Sequence, residues 1–293
     1  MILITGAAGK TGQAIIKTLI QRDKSVRAFV YRSEHIEQVR KLGAREVVAG
    51  DMRDAAAFQR AAQGVEKIYH VCSNMNPDEV AIGQIAIEAA QRAGVKRFVY
   101  HSVLHPQVEK MPHHWHKLRV EEMLFESGLS YTILQPAAYM QNILAGWTAI
   151  AEKGLYRVPY PVETRLSIVD LADVAEVAAA VLTEPGHTGA IYELAGPENP
   201  SQSEVAAILS NCLDRPVRAE QISRQAWREG AQSAGLGDYQ IETLLKMFRY
   251  YEQYHFVGNS SVLGWLLKRP PTELKTFIMR MIKERLRDLG IKN

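Results

Sequence analysis

Three glycines near the start of the chain have the spacing of a phosphate-binding turn. Gly6, Gly9 and Gly12 follow the apolar run 2–4 and precede apolar residues at helical spacing. In a strand–turn–helix unit, such glycines allow a tight turn, let the backbone approach a pyrophosphate and let the helix pack closely on the strand. The start of the helix adds backbone N–H groups and a partial positive charge. This context predicts a dinucleotide site. The residues predicted to form its phosphate-binding turn are Gly6, Ala8, Gly9, Lys10, Thr11 and Gly12.

The end of the second predicted strand indicates which dinucleotide is bound. A site that prefers NAD has an acidic residue about 20 residues past the glycines, where it accepts from the ribose 2′-hydroxyl. Here Arg32 and Ser33 follow the strand. Arg32 can hold a 2′-phosphate with its charged planar fork, and Ser33 can add a hydrogen bond. Glu34 supports the alternative, because a small backbone shift would place its carboxylate on the ribose. The pattern favours NADPH over NADH.

The glycine spacing resembles that of the short-chain dehydrogenase/reductase superfamily, in its extended and atypical branches. The resemblance implies a serine after the fifth strand and a Tyr-x-x-x-Lys motif on the next helix, where the tyrosine moves a proton and the lysine lowers its pKa and holds the ribose. Ser102 fits the serine position and Lys117 the lysine position, but the tyrosine position holds His113. Either His113 is an unusual acid or base, or the protein does not use the tyrosine mechanism.

The ends of the other parallel strands are expected to line the same crevice. Asp51 either accepts from the adenine amino group or caps the next helix, although Asp54 is better placed as a cap. Cys72 is interpreted as a small core residue rather than a reactive thiol. The strand-end residues assigned to the cofactor are Asp51, Met52, Cys72, Ser73, Ser102 and Pro136.

Histidines cluster around the predicted active site, at 105, 113, 114 and 116. His113 and His116 have a spacing that can share one helix face, which is compatible with a metal site. No carboxylate or cysteine lies close by to complete a typical zinc site, so we expect no metal and interpret the cluster as a polar border of the pocket. The side chains expected to contact the substrate are His101, His105, Tyr139 and Asn142.

Apolar runs and helical stripes alternate along the first half of the chain, as in a doubly wound α/β fold. The predicted strands are 2–4, 26–30, 46–49, 67–71, 96–100 and 130–134. The predicted helices after the first one cover 34–42, 55–62, 79–93 and 116–126. With right-handed crossovers these elements form one parallel Rossmann sheet with helices on both faces.

The rest of the chain is predicted to form a smaller, mostly helical substrate-side domain. The NAD(P)-binding Rossmann domain covers 1–155, the segment 170–195 returns to it as a helix and a strand, and the smaller domain covers 156–293. Residues 138–151 are interpreted as a helix with Tyr139 and Asn142 on one face, pointing towards the nicotinamide. Asp170 and Asp173 are expected to cap a helix.

Four later helices are also predicted, the first two at 202–212 and 223–234. An aromatic-rich helix at 244–254 can roof an apolar pocket, lie at a homodimer contact or simply fill the core. The final helix, 273–289, is amphipathic and basic on one face, which is typical of a surface helix.

Composition excludes several classes of protein. The 293 residues carry a formal net charge of +3, and no basic stripe indicates nucleic-acid binding. The apolar runs are too short to span a membrane. Because the sequence begins in the first predicted strand, we expect no leader. The two cysteines, Cys72 and Cys212, are too few for a disulfide scaffold. We expect a cytoplasmic protein that binds a small-molecule substrate, without a nucleic-acid or membrane partner.

Three later segments resemble the NmrA-like branch of the atypical short-chain dehydrogenases/reductases. They are Lys117-x-x-x-Glu121 with the stretch 127–136, the stretch 167–175 before an alanine-rich helix, and the stretch 189–197. The resemblance implies a relationship to NADPH-dependent quinone and dye reductases, to enzymes acting on plant phenylpropanoids, and to catalytically silent NADP-sensing regulators. A missing tyrosine is common in that branch.

Two functions of different classes therefore stay open. The first is an NADPH-dependent oxidoreductase that transfers a hydride directly to a quinone-like or other conjugated acceptor, without the tyrosine of the Tyr-x-x-x-Lys mechanism. The second is a non-catalytic protein that senses the NADP(H) redox state and binds a protein partner.

Overall fold

The computed structural model describes residues 1–73 and 75–288. The chain divides into two compact units, one formed by Met1–Pro136 with Val174–Glu193 and the other by Ala137–Asp173 with the chain from Leu194 onward.

The strands in chain order are β1 (Ile2–Ile4), β2 (Val26–Val30), β3 (Glu46–Ala49), β4 (Lys67–His70), β5 (Arg97–His101), β6 (Tyr131–Pro136), β7 (Ala138–Tyr139), β8 (Leu155–Val158), β9 (Ile168–Val169), β10 (Ala190–Leu194) and β11 (Arg218–Gln221). The helices in chain order are α1 (Lys10–Gln21), α2 (Ile36–Lys41), α3 (Ala55–Ala62), α4 (Glu79–Arg92), α5 (Pro112–Glu126), α6 (Trp147–Lys153), α7 (Leu171–Thr183), α8 (Gln202–Leu213), α9 (Arg224–Ser233), α10 (Asp238–Tyr254), α11 (Ser261–Leu267) and α12 (Leu274–Asp288).

The first unit is built on a sheet that has seven strands among the described residues, in the order β10-β6-β5-β4-β1-β2-β3. The neighbouring strands from β6 to β3 pair in parallel. The strand order reverses between β1 and β4, and sheets of this kind bind ligands in the crevice at that reversal, beyond the carboxyl ends of the strands. The predicted doubly wound parallel sheet is confirmed.

A close contact between α4 and α5 fixes the geometry of one layer over this sheet. A Cβ atom at Gly83 of α4 would lie only 2.5 Å from Cγ2 of Val120 of α5. The missing side chain therefore lets the two helices approach at this point. Both helices belong to a core of buried residues. This core also includes Phe58 of α3 and, from the sheet, Phe98 and Tyr100 of β5.

Most predicted boundaries agree with the structure to within one or two residues, and two predictions need correction. Helix α5 begins at Pro112 rather than at 116, because a proline in the first helical position gives up an N–H that has no helical partner there. Residues 138–151 do not form one helix. They form β7, a 3₁₀ helix at Met140–Gly146 and the start of α6.

The prediction that Tyr139 and Asn142 share one helix face was therefore wrong. The chain stays extended beyond Pro136 because a partner strand is available, with Ala138 in register with Ile168 and Tyr139 with Val169. Asn142 lies in the following 3₁₀ helix. Local periodicity does not reveal a strand partner that lies far along the chain.

In the second unit, the aromatic helix α10 packs into the core. Phe248 and Tyr251 are buried. The ring of Trp227 lies 4.7 Å from that of Phe248, and the ring of Tyr160 lies 5.7 Å from the same phenyl group. Core packing thus explains the apolar face of this helix.

The two predicted caps of α7 behave differently. Asp170 is confirmed as a cap, because its Oδ1 accepts from the Ala172 N–H at 3.1 Å. Its Oδ2 also accepts from Arg280 at 2.6 Å. The prediction for Asp173 was wrong: its carboxylate accepts from the Arg269 guanidinium and from the N–H and hydroxyl of Thr272. Residues far along the chain therefore donate to both oxygens of Asp173, and this carboxylate does not cap α7.

The final helix is described to Asp288, so the predicted last position, 289, lies outside the described residues. Arg280 forms the ion pair with Asp170, and the guanidinium of Arg285 lies 5.4 Å from the centre of the Trp147 ring. In the part of the chain that the structure describes, none of the helices is both long enough and apolar enough to cross a membrane.

Candidate active site

The turn between β1 and α1 has the tight geometry that the glycine spacing predicts. Gly6 has a φ of +55°, and a Cβ atom there would lie 2.7 Å from the carbonyl oxygen of Val71. A Cβ atom at Gly12 would lie 2.5 Å from the carbonyl oxygen of Gly6. The Gly9 N–H donates to that same oxygen at 2.9 Å. Glycine is therefore required at 6 and 12 for the turn itself.

The first turn of α1 fits a diphosphate. Gly9 occupies the N-cap position, and no side chain among the described residues caps the helix there. The first turn carries no acidic residue, while Gly9 and Lys10 are exposed. Ala8 and Thr11 are half-buried, and the Ala8 carbonyl oxygen accepts from the Gln13 amide at 2.6 Å, which ties the turn to the helix. An uncapped helix start with a nearby cation attracts an anion.

Arg32 and Ser33 lie at the exposed end of β2, where the sequence places a 2′-phosphate contact. The Arg32 guanidinium lies 3.3 Å from Glu34, and about two thirds of each side chain is exposed. An ion pair this exposed contributes at most about 1 kcal/mol. Arg32 can therefore exchange Glu34 for a phosphate at little cost.

Asp51 follows β3, and its carboxylate is hydrogen-bonded to the neighbouring Arg53. Both of its carboxylate oxygens accept from the Arg53 guanidinium, and Oδ1 also accepts from the Arg53 N–H. These hydrogen bonds hold the pKa of Asp51 below its usual value. Asp54, not Asp51, caps α3, with its Oδ1 2.9 Å from the Ala56 nitrogen. The adenine contact remains the prediction for Asp51, with Met52 half-buried beside it.

The residues after β4 include one buried thiol and one exposed hydroxyl. Burial raises the pKa of Cys72 to about 12, so the group is an uncharged thiol at neutral pH, as predicted for a small core residue. The Asn76 amide donates to Ser73 Oγ at 3.1 Å and to Cys72 Sγ at 3.6 Å. The side chain of Asn76 is thus bonded to the side chains of both residues.

Lys117 is buried in a cluster that the sequence did not reveal. Its ammonium donates to Oε1 of Glu79 at 3.0 Å and to the main-chain carbonyl of His101 at 3.1 Å. The Tyr100 hydroxyl donates to the same Glu79 oxygen at 2.8 Å. The ammonium also lies 5.3 Å from the centre of the Tyr100 ring. We call these four residues the Lys117 cluster.

Helix packing builds this cluster. Glu79 lies one turn before Gly83 on α4, and Lys117 lies one turn before Val120 on α5. Since Gly83 and Val120 form the close helix contact, the carboxylate and the ammonium meet beside it. The attraction of Lys117 and the hydrogen bonds from Tyr100 and Lys117 outweigh the effect of burial, so the pKa of Glu79 stays below its usual value.

The Ser102 hydroxyl belongs to a second buried network. It donates to the carboxylate of Glu121, which also accepts from the Gln135 amide at 3.0 Å and 3.1 Å. Burial raises the pKa of Glu121, although both hydrogen bonds oppose that shift. The Ser102 N–H donates to the Leu134 carbonyl at 2.8 Å. This network ties the end of β5 to α5 and β6.

His113, in the tyrosine position, is buried and uncharged. Burial lowers its pKa to about 2, helped by His114 and Lys117 nearby. Its Nδ1 atom has no hydrogen-bond partner among the described residues, and the same holds for Nδ1 of His116. His114 Nδ1 contacts the His105 carbonyl at 3.2 Å. Within the described residues, no three potential ligands are placed to hold a metal ion.

The remaining predicted positions lie at the ends of strands. A hydrogen bond of 2.5 Å joins His101 Nδ1 to the Tyr69 hydroxyl, and burial lowers the pKa of His101 to about 3. Pro136 ends β6 and accepts from the Leu104 N–H at 2.9 Å. Tyr139 is half-buried and Asn142 exposed in the second unit.

Sequence reasoning missed Glu79, Tyr100, Glu121 and Gln135. One signal for Glu79 was available. It stands one turn before Gly83 and two turns before Ile87, on the otherwise apolar stripe of its helix. A carboxylate on a buried stripe requires a cationic or hydrogen-bonding partner. The sequence did not identify Lys117 as that partner.

The chain is similar over most of its length to proteins of known activity. The profile of the NmrA-like family matches residues 1–282. NAD(P)H azoreductase from Xenophilus azovorans is 30% identical over 281 residues, covering 94% of this chain and 96% of the relative. Quinone oxidoreductase 2 from Escherichia coli (strain K12) is 30% identical over 275 residues, covering 94% and 96%. The crystal structure of the NADPH-dependent quinone oxidoreductase from Escherichia coli complexed with NADPH superposes with a TM-score of 0.85 at 29% identity, covering 96% of this chain and 100% of that one.

Proposed function

This chain belongs to the NmrA-like family, and we propose that it is an NADPH-dependent oxidoreductase whose acceptor is a quinone or a similar conjugated small molecule. The azoreductase and the quinone oxidoreductase that it resembles support the general class, an NAD(P)H-dependent oxidoreductase. The acceptor and the absence of a tyrosine acid are our own proposals for this chain.

The residues of the first unit fit the cofactor. The glycine turn and the uncapped start of α1 would hold the pyrophosphate, and Arg32 with Ser33 would hold the 2′-phosphate. Lys117 would contact the nicotinamide ribose, because only two of its three N–H groups have acceptors among the described residues. When bound, NADPH supplies the hydride.

Our choice of acceptor depends on one observation: His113, in the tyrosine position, is buried and neutral. A general acid must hold a transferable proton near the operating pH. An imidazole with a pKa of about 2 carries no such proton at neutral pH. A quinone can be reduced without a general acid, because hydride addition yields a hydroquinone anion that is far more stable than an alkoxide. That anion can then take its proton from solvent.

Two histidines of the first unit are the proposed contacts of the acceptor. We propose that His101 and His105, at and beyond the end of β5, border the acceptor. His101 is held by Tyr69, and His105 is fixed by a left-handed backbone (φ +52°) and the contact of its carbonyl with His114. A fixed polar border would orient a flat acceptor without supplying a proton.

Steady-state oxidation of NADPH over a panel of quinones, enones and dyes tests this function. We expect turnover above about 1 per second with at least one quinone, within the ordinary range for enzymes. The Gly9→Asp variant is the matched control, because turnover by a contaminating reductase would survive that change. Tight NADPH binding by calorimetry without turnover of any acceptor would contradict the enzyme and favour an NADP(H) sensor.

A further inference from the structure

The ammonium of Lys117 is buried beside a carboxylate. Only 9% of its side chain is exposed, and only 3% of that of Glu79. Burial disfavours the charged form of a lysine unless an opposite charge lies close by. In the Lys117 cluster that opposite charge is the Glu79 carboxylate, 3.0 Å away.

Tyr100 fixes the carboxylate in turn. Its hydroxyl is fully buried and donates to the same oxygen of Glu79 that Lys117 contacts. The main-chain carbonyl of His101 takes a second N–H of the ammonium at 3.1 Å. Lys117 is thus held from α4 and from β5 at once, and one of its three N–H groups has no acceptor among the described residues, so it can donate to a ligand.

We propose that Glu79 is a positioning residue, whose buried carboxylate keeps the Lys117 ammonium charged and fixed at the end of β5 for the ribose of the cofactor. This inference rests on the proposed function, since it assumes that Lys117 contacts NADPH. A purely structural ion pair would have no effect on cofactor binding. The two roles therefore differ in what they predict for NADPH affinity as a function of pH.

Other groups near Lys117 do not replace Glu79 in this role. The titratable groups that face Lys117 are Glu79, Tyr100, His70, Cys72, His101, His113, His114 and Glu121. The four histidines are neutral at pH 7, and burial keeps Tyr100 and Cys72 protonated. Burial raises the pKa of Glu121, and its oxygens are taken by Ser102 and Gln135.

The test is NADPH binding by calorimetry at several values between about pH 7 and about pH 9, a range in which an unperturbed lysine stays charged. Glu79→Gln keeps the size and an acceptor oxygen but removes the charge. We expect the ratio of its Kd to that of the parent protein to rise with pH, by up to about tenfold per unit, as Lys117 loses its proton. Glu88→Gln on the exposed face of the same helix is the matched control, with a ratio near one throughout.

The double variant Glu79→Gln/Lys117→Met distinguishes the role of Glu79 from the contact between Lys117 and NADPH. It lacks both charges, so its affinity should be about tenfold to a hundredfold weaker and its ratio constant with pH. A constant ratio for Glu79→Gln beside a weakened double variant would overturn the role of Glu79 alone. A double variant that binds NADPH like the parent would instead overturn the Lys117 contact in the proposed function.

A conservative variant keeps the proposal testable if Glu79→Gln does not fold. Glu79→Asp retains the charge and withdraws it by one methylene group. We expect weaker NADPH binding with a ratio that does not change with pH. Affinity within about twofold of the parent, a difference below about 0.5 kcal/mol, would mean that the position of the carboxylate is irrelevant to the cofactor.

Discussion

Lys117 of α5 and Glu79 of α4 form a buried ion pair, with Nζ and Oε1 3.0 Å apart, beside the point where Gly83 and Val120 bring the two helices together. The packing of α4 against α5 thus fixes the residue that is expected to hold the cofactor ribose.

Gly83→Ala should destabilise the protein, although alanine is the better helix former. A Cβ atom would meet Val120 at 2.5 Å, and overpacking of a core costs about 1–3 kcal/mol. Gly230→Ala is the control, because Gly230 is exposed in α9 and a Cβ atom there meets nothing within 4 Å. It should stabilise the protein by up to about 1 kcal/mol. Urea unfolding measures the change in the free energy of unfolding for both variants. Equal changes in the same direction would mean that α4 and α5 can move apart to accommodate a methyl group.

Gly9→Asp should abolish binding of NADPH. The new carboxylate would stand at the N-cap of α1, where the backbone must approach the pyrophosphate. Gly230→Asp places the same charge on an exposed glycine and should leave the affinity unchanged. Calorimetry with folded protein decides, and near-normal affinity of Gly9→Asp would rule out the glycine turn as the phosphate site.

Arg32→Ala should weaken NADPH binding by about 1.5–3 kcal/mol, the range for a charged hydrogen bond, and leave NADH binding nearly unchanged. Arg40→Ala is the control, since Arg40 is also exposed and paired with a nearby glutamate, Glu37. Parallel titrations with both cofactors give the result. Equal weakening of both would show that Arg32 does not recognise the 2′-phosphate.

Stability should fall below about pH 6.5 because of the buried histidines. Burial lowers the pKa of His70 to about 4, so the folded state keeps it neutral while the unfolded chain takes up a proton near its ordinary pKa of about 6.5. The contribution is complete above that value and is lost as the pH falls towards 4, with a slope of at most about 1.4 kcal/mol per unit for each histidine. His70→Phe should therefore have a shallower slope than the parent protein. Denaturant unfolding of both proteins from pH 7 to pH 4 would contradict this account if the two slopes agreed.

The parts of the structure that local sequence determines were predictable. The strand–turn–helix at 2–21, the alternation of β1 to β6 with helices and the cap at Asp54 depend on neighbouring residues, and the structure has them as expected. The resemblance to the short-chain dehydrogenases/reductases added the predicted role of Lys117 at the cofactor ribose, which stays a prediction.

The parts that depend on distant residues were not predictable. Glu79 and Lys117 are far apart in the chain and meet only because α4 and α5 pack together. Asp173 could cap α7 by its position, but Arg269 and Thr272 take its oxygens instead. Ser102 stands where a reductase serine belongs, yet its hydroxyl donates to Glu121. In each case a partner far along the chain decides what the side chain contacts.

The most direct test of the central claim, reduction without an acid in the tyrosine position, is the steady-state rate of quinone reduction by His113→Ala, with NADPH affinity measured separately by calorimetry. We predict a loss in kcat of less than about tenfold at unchanged affinity, because a committed general acid contributes about a hundredfold to ten-thousandfold. A loss of about a thousandfold at unchanged NADPH affinity would make His113 the proton donor and contradict this account.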